Sequence, residues 1–153
     1  MKKAMGFDLG SRTLGIAISD ALGIAHPYEE FRFLDGAYRQ ALRHAIEVLH
    51  KEGITEVALG YPLNMDGSVG DRARSSEMFR DSLLKEDPSL EVTLVDERLT
   101  TVLANKLLLE SDISRRKRHA VIDKMAALQI LESYLQRKEF DSMEGEEDDT
   151  DHQ

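Results

Sequence analysis

Lys3-Ala4-Met5-Gly6-Phe7-Asp8-Leu9-Gly10-Ser11-Arg12 is the stretch from which the rest of the chain is read. Apart from one carboxylate, residues 4–9 are apolar at every position, as in a central strand covered on both faces. Asp8 does not belong there as packing. An ionised Asp in such a strand loses its hydration, which is tolerable only with hydrogen bonds, a partner charge or a metal. Gly10-Ser11-Arg12 then reads as a turn and Leu14-Gly15-Ile16-Ala17-Ile18-Ser19-Asp20 as a second strand. The pair forms a β-hairpin with Asp8 at the end nearer the turn. The plain alternative is an Asp that only caps the turn through its own side chain.

Composition limits what such a site can be. The 153 residues include no cysteine, which rules out a disulfide framework and a thiolate zinc site. No stretch approaches a membrane span or a signal-peptide h-region, so a cytoplasmic protein with no membrane partner is expected. The formal net charge is −9, but eight of the 29 acids fall in residues 139–153, a segment without Lys or Arg. Taking those eight away leaves 21 acids against 20 Lys and Arg, so the body is near neutral and nucleic acid is not excluded as a partner. The division expected is a single domain over 1–138 and an acidic, disordered tail over 139–153.

Beyond the hairpin, His26-Pro27 interrupts the pattern and Tyr28 to Leu34 reads as a third strand. Tyr38, Ala41, Leu42, Ala45, Ile46 and Leu49 are spaced as one face of a helix that Gly53 stops. Thr55 to Gly60 is a short strand reached through that helix, which suggests a parallel crossover. The punctuated run Gly60-Tyr61-Pro62-Leu63-Asn64-Met65-Asp66-Gly67-Ser68 is a loop at a C-terminal strand end, where open α/β sheets place their sites. A helix from about Val69 to Leu84 should turn Ala73, Ser76, Phe79 and Leu83 inward. Glu91 to Val95 is the fifth strand, followed at once by Asp96-Glu97-Arg98. A helix running to Leu109 and a last helix over roughly His119 to Arg137 flank the basic run Arg115-Arg116-Lys117-Arg118.

Three acids fall where packing disfavours them: Asp8, Glu97 after the fifth strand, and Asp123. On the last helix Asp123 shares a face with Ala126, Ala127, Ile130 and Tyr134, at offsets of three, four, seven and eleven. Laid across the strand ends, that helix would bring Asp123 beside Asp8 and Glu97. Converging carboxylates repel and raise one another's pKa unless a cation resolves them. An all-oxygen set points to Mg²⁺ or Mn²⁺, and two such ions about 4 Å apart can promote phosphodiester hydrolysis. The residues alone leave alternatives open: Asp96 as ligand in place of Glu97, a surface Glu97–Arg98 pair, and Asp123 paired with Arg118 or capping its helix. Arg12 and the Arg115 to Arg118 run are candidate phosphate contacts, the latter equally readable as a solvated loop.

Phe7-Asp8-Leu9-Gly10-Ser11-Arg12-Thr13-Leu14-Gly15-Ile16-Ala17-Ile18-Ser19-Asp20 resembles the opening of the YqgF (RuvX-like) proteins. Gly60-Tyr61-Pro62 with Gly67, Asp96-Glu97-Arg98-Leu99-Thr100 and Asp123-Lys124-Met125-Ala126-Ala127 resemble the later motifs of that family, in the same order. The resemblance spans about residues 4–135 and leaves out the acidic tail. It implies an α/β, RNase H-like fold: a five-stranded mixed sheet with helices on both sides. It also implies a metal-dependent nuclease with Asp8, Glu97 and Asp123 as its acids. The family is associated with maturation of the 5′ end of 16S ribosomal RNA and was earlier proposed to resolve Holliday junctions.

The reading that follows is an endonuclease acting on pre-16S rRNA, in contact with ribosomal particles. Its alternatives are a four-way DNA junction as substrate, or a non-catalytic ribosome-assembly factor. A monomer or a homodimer is expected, the dimer for symmetric junction cleavage. An actin-type nucleotide binder shares the Asp8-Leu9-Gly10 turn, but that fold closes two such domains on its nucleotide and 153 residues supply one.

Overall fold

The computed structural model describes residues 2–99 and 125–141. Its strands are β1 (Ala4–Leu9), β2 (Thr13–Ser19), β3 (Ala25–Arg32), β4 (Glu56–Tyr61) and β5 (Glu91–Asp96). Its helices are α1 (Tyr38–Glu52), α2 (Asp71–Glu86) and α3 over residues 125–141, with a 3-10 turn at Glu97–Leu99 after β5. The strands form one sheet in the order β3-β2-β1-β4-β5, antiparallel across β3-β2-β1 and parallel across β1-β4-β5. This is the mixed sheet expected from the hairpin and the crossover. Among the described residues no helix is long and apolar enough to cross a membrane.

The two faces of the sheet carry side chains of different size. Met5, Phe7 and Leu9 of β1 join Leu14, Ile16, Val57 and Leu59 in a core against α1 and α2. There Phe79 meets Phe7 edge-on, with ring centroids 6.4 Å apart. The opposite face presents Ala4, Ala17 and Ala58 to Ala127, Ile130, Leu131 and Leu135 of α3. Gly6 lies on this face too, and a β-carbon there would stand 2.8 Å from Leu131 Cβ and 2.9 Å from the Ala127 carbonyl oxygen. Small residues on one face bring α3 close to the sheet, and large ones fill the other layer.

The direction of α3 follows from its contacts. Ile130 lies against Gly60 near the C-terminal end of β4, whereas Tyr134 and Lys138 reach Glu56 at its start. The helix therefore runs antiparallel to β1 and β4, and its N-terminal end points towards the strand ends that carry Asp8 and Glu97. Glu56 is a buried acid the sequence reading passed over. It accepts a hydrogen bond from the Tyr134 hydroxyl at 3.2 Å and pairs with the Lys138 ammonium at 2.5 Å. These contacts anchor α3 along its second half.

Several boundaries differ from expectation. His26 and Pro27 lie inside β3, which ends at Arg32 and not at Leu34. Proline has no N–H to donate, but β3 is an edge strand and Pro27 pairs with Ala17 at a register shift, where that donor is not needed. The buried stripe of α1 is Ala41, Ala45, Val48 and Leu49, with Leu42 and Ile46 only half-buried. Gly53 ends this helix in the left-handed conformation, φ 66°, as anticipated. In α2 the buried residues are the four expected, Ala73, Ser76, Phe79 and Leu83, on a helix shifted two residues later. Helix α3 continues past Arg137 through Glu139, Phe140 and Asp141. The helix expected up to Leu109, and residues 142–153 of the expected tail, lie outside the described residues.

Candidate active site

Alternation along β1 sets Asp8 on the same face as Ala4 and Gly6, beneath α3. It is 7% exposed. Across the antiparallel pair its partner is Gly15 of β2. On the other side Phe7 is in register with Leu59, so the next residues along, Asp8 and Gly60, stand level on adjacent parallel strands. The carboxylate is thus flanked in the sheet by two glycines. The hairpin turn beside it closes through the backbone, Gly10 N–H donating to the Thr13 carbonyl at 2.8 Å.

Glu97 reaches this surface from the 3-10 turn. Val95, the last inward residue of β5, packs into the layer beneath α3. Asp96 pairs with Tyr61, and the chain turns immediately after it. A β-carbon on Gly60 would lie 2.8 Å from Glu97 Oε1 and 2.6 Å from Ile130 Cδ1. The space above Gly60, level with Asp8, is therefore taken by the Glu97 carboxylate. The two acids, 89 residues apart in the sequence, converge on one face at the C-terminal ends of β1 and β5.

Asp96 is engaged elsewhere. Its carboxylate accepts from Arg98 Nε at 3.1 and 3.2 Å, from Nη2 at 2.8 Å and from the Arg98 backbone N–H at 2.9 Å. The Arg98 side chain holds the Asp96 carboxyl below its usual range. The Asp96 oxygens are thus committed to the Arg98 guanidinium, and the Arg98 fork goes to Asp96.

Arg12 sits in the hairpin turn at the same end of the sheet. Its side chain is 74% exposed and 3.8 Å from the Asp35 carboxylate, a loose surface pair. Asp123, Arg115, Arg116, Lys117 and Arg118 lie outside the described residues. The structure also shows Glu30 of β3 on the Asp8 face, with Gly15 between them, paired at 3.4 Å with Arg32. Its place opposite Gly15 depends on the register between β2 and β3, which no local pattern announces.

The residues present fit a hard divalent cation. Asp8 and Glu97 are oxygen donors, and Gly15 and Gly60, the residues beside Asp8 in the sheet, add no side chain of their own between them. Among the described residues no three Asp, Glu or His groups gather closely enough to form a complete metal site. Two of the three expected acids are thus brought together here.

Comparison with known proteins identifies the family of the chain. Residues 2–137 match the family described as RuvX: Holliday junction resolvase. A protein of Halalkalibacterium halodurans named "Putative pre-16S rRNA nuclease" is 41% identical over 138 residues, 90% of this chain and 98% of its own. A Staphylococcus aureus protein of the same name is 42% identical over 134 residues, 87% and 94% of the two chains. Among solved structures, Thermus thermophilus RuvC bound to a Holliday junction substrate superposes with a TM-score of 0.55 at 14% identity, over 90% of this chain and 96% of its own. RuvC from the same organism in a second structure gives 0.56 at 14% identity, over 89% and 96%. These likenesses establish the RNase H-like fold. The chain belongs to the RuvX family.

Proposed function

We propose that this protein is a Mg²⁺- or Mn²⁺-dependent endonuclease that cuts structured RNA, and that its substrate is the 5′ end of pre-16S rRNA in the cytoplasm. The observation that carries the reading is the convergence of Asp8 and Glu97 at the C-terminal strand ends beneath α3, over strand positions occupied by glycine. A nuclease site needs carboxylates held rigidly by strands, with room between them for phosphate oxygens. The relatives named for pre-16S rRNA support the choice of substrate.

Asp8 and Glu97 would hold the cation, with Asp123 as third ligand on its sequence pattern. When bound there, such an ion lowers the pKa of a water nucleophile and neutralises charge on the phosphodiester. Asp8, fixed in a central strand, sets the position of the reacting phosphate relative to the sheet. Glu97, on a turn, approaches from the β5 side. Arg12 and, on its sequence pattern, the Arg115 to Arg118 run would contact backbone phosphates, which would position the substrate without reading its sequence.

A four-way DNA junction is the second reading, favoured by the description of the family itself. The metal chemistry is common to both substrates, so substrate choice is tested directly. Purified protein is incubated with end-labelled 16S precursor and with a labelled junction, in Mg²⁺, in Mn²⁺ and in chelator. Cleavage of the precursor in metal alone is expected. Paired cuts in the junction with an intact precursor would favour the resolvase. Neither substrate cut in either metal would leave a non-catalytic assembly factor.

A further inference from the structure

Two stretches that stand apart in sequence, the loop after β4 and the run Asp96-Glu97-Arg98, are joined in the structure by one side chain. Arg98 bonds Asp96 with Nε and Nη2 and extends Nη1 to the Met65 carbonyl at 3.4 Å, 33 residues away. The loop it reaches is internally built. Gly67 N–H donates to the Asn64 carbonyl at 2.8 Å, and Asn64 N–H to the Ser68 carbonyl at 3.0 Å. The Asn64 amide meets Ser68 Oγ at 2.9 Å, and Asp66 accepts from the Ser68 hydroxyl at 2.6 Å and its N–H at 2.9 Å. Gly67 has φ +88°, and a β-carbon there would lie 3.2 Å from Arg98 Nη1. The positive φ favours glycine, and a β-carbon there would press on the guanidinium.

The consequence falls on Glu97. The Arg98 N–H to Asp96 bond spans residue 97 and closes the turn that ends β5. The side-chain fork closes the same pair a second time, and the bond to Met65 ties this doubly closed turn to the loop following Gly60. Glu97 therefore sits between two clamped residues, on a turn braced against the strand whose Gly60 makes room for its carboxylate.

We propose that Arg98 is a positioning residue for Glu97: its guanidinium locks the 60–70 loop to the turn after β5 and thereby fixes the carboxylate that holds the cation. This rests on the nuclease reading above. An Arg already occupied by a carboxylate and a carbonyl acts through the turn and not on substrate phosphate, and Lys cannot reproduce its planar fork.

The test uses the full chain and the variants Arg98→Ala, Arg98→Lys, Gly67→Ala and, as reference, Glu97→Gln. Three quantities are read: amide hydrogen exchange at Gly67 and Ser68, Mn²⁺ affinity by calorimetry, and kcat and KM separately. Arg98→Ala and Gly67→Ala should both speed loop exchange and lower Mn²⁺ affinity or kcat about 10- to 100-fold, the usual effect of losing support behind a ligand. KM and its salt dependence should stay near wild type, and Arg98→Lys should not restore the loss. Unchanged loop exchange in Arg98→Ala would overturn the clamp. A loosened loop with wild-type Mn²⁺ affinity and kcat would overturn the positioning role, and so would a loss confined to KM and the salt slope. If Glu97→Gln itself keeps wild-type Mn²⁺ binding and cleavage, the nuclease site is misassigned and the positioning role falls with it. Loop exchange in Arg98→Ala still reports separately whether the clamp exists.

Discussion

The Glu97 carboxylate occupies the space that a side chain on Gly60 would fill, its Oε1 lying 2.8 Å from the position of a β-carbon there. A glycine in a parallel strand is usually a weakness. Here it lets an acid from the neighbouring strand's end lie over the sheet, level with Asp8. The placing of Glu97 thus depends on a missing side chain at Gly60.

Gly60→Ala and Gly6→Ala should therefore fail in different ways. At Gly60 the new methyl meets the ends of two flexible side chains, Glu97 Oε1 and Ile130 Cδ1. Ile130 is fully buried, but only side-chain ends have to shift, so the loss of stability should stay below that at Gly6. The carboxylate is displaced, however, and cleavage should fall about 10- to 100-fold. At Gly6 the methyl meets the Ala127 carbonyl oxygen and Leu131 Cβ, both held by the helix backbone. Overpacking there should cost about 1–3 kcal/mol in denaturant unfolding. Equal losses of stability in the two variants would mean that Glu97 does not lie over Gly60.

Legibility from sequence followed range. Strands, turns and the inward residues of α2 were readable because each depends on periodicity or on local turn chemistry. Asp8 was readable because a carboxylate in an apolar run is costly in any fold. Pro27 misled because its exclusion from strands lapses on an edge, and nothing local announces which strand is the edge. The division of the sheet into a large-residue and a small-residue face was visible as alternation in Ala4, Gly6 and Met5, Phe7, yet its meaning required knowing where α3 lies. Glu56 with Lys138, and Arg98 with the Met65 carbonyl, join residues far apart in the chain. No spacing rule predicts them.

The Glu56 anchor should make stability fall on the alkaline side. Burial first, then the negative charge of Glu56, pushes the Tyr134 hydroxyl up from 10.0. Burial is the largest single influence on Lys138 and opposes its charge, but the hydrogen bond to Glu56 and the interactions with Tyr134 and the Glu56 charge together outweigh it and raise the ammonium from 10.5. Both groups bind their protons more tightly in the folded state. The stability they add is complete below their unfolded values and is lost as pH rises through the folded ones, above about pH 10. Melting temperature followed into that range should drop more steeply for the wild type than for Tyr134→Phe/Lys138→Met. At neutral pH Lys138→Met alone should cost about 1–3 kcal/mol. That is less than for a fully buried pair, because the Lys138 side chain is 44% exposed while that of Glu56 is 4% exposed. Parallel alkaline limbs in the two proteins would remove Glu56 as the anchor of α3.

The basic run is tested by salt. If Arg115, Arg116, Lys117 and Arg118 contact phosphates, replacing all four by Ala should weaken binding and flatten its dependence on salt, by about 0.7–0.9 in slope per lost contact. Turnover of saturating substrate should hardly change, since Asp8 and Glu97 stay in place. An unaltered slope would return the run to a solvated loop and leave Arg12 as the named phosphate contact.

Asp8→Asn is the most direct probe of the site, because it removes one charge from a buried position and changes almost no volume. Cleavage of labelled precursor RNA is measured for this variant and the wild type in Mg²⁺, Mn²⁺ and chelator, together with the melting temperature at each metal concentration. The wild type should cut only with metal and should gain stability as metal is added, because an ion that binds the native state alone stabilises it by mass action. Asp8→Asn should remain folded, lose cleavage in both metals and show little metal-dependent stabilisation. Wild-type turnover in the variant, or an equal rise in its melting temperature, would contradict a metal-dependent site built on Asp8.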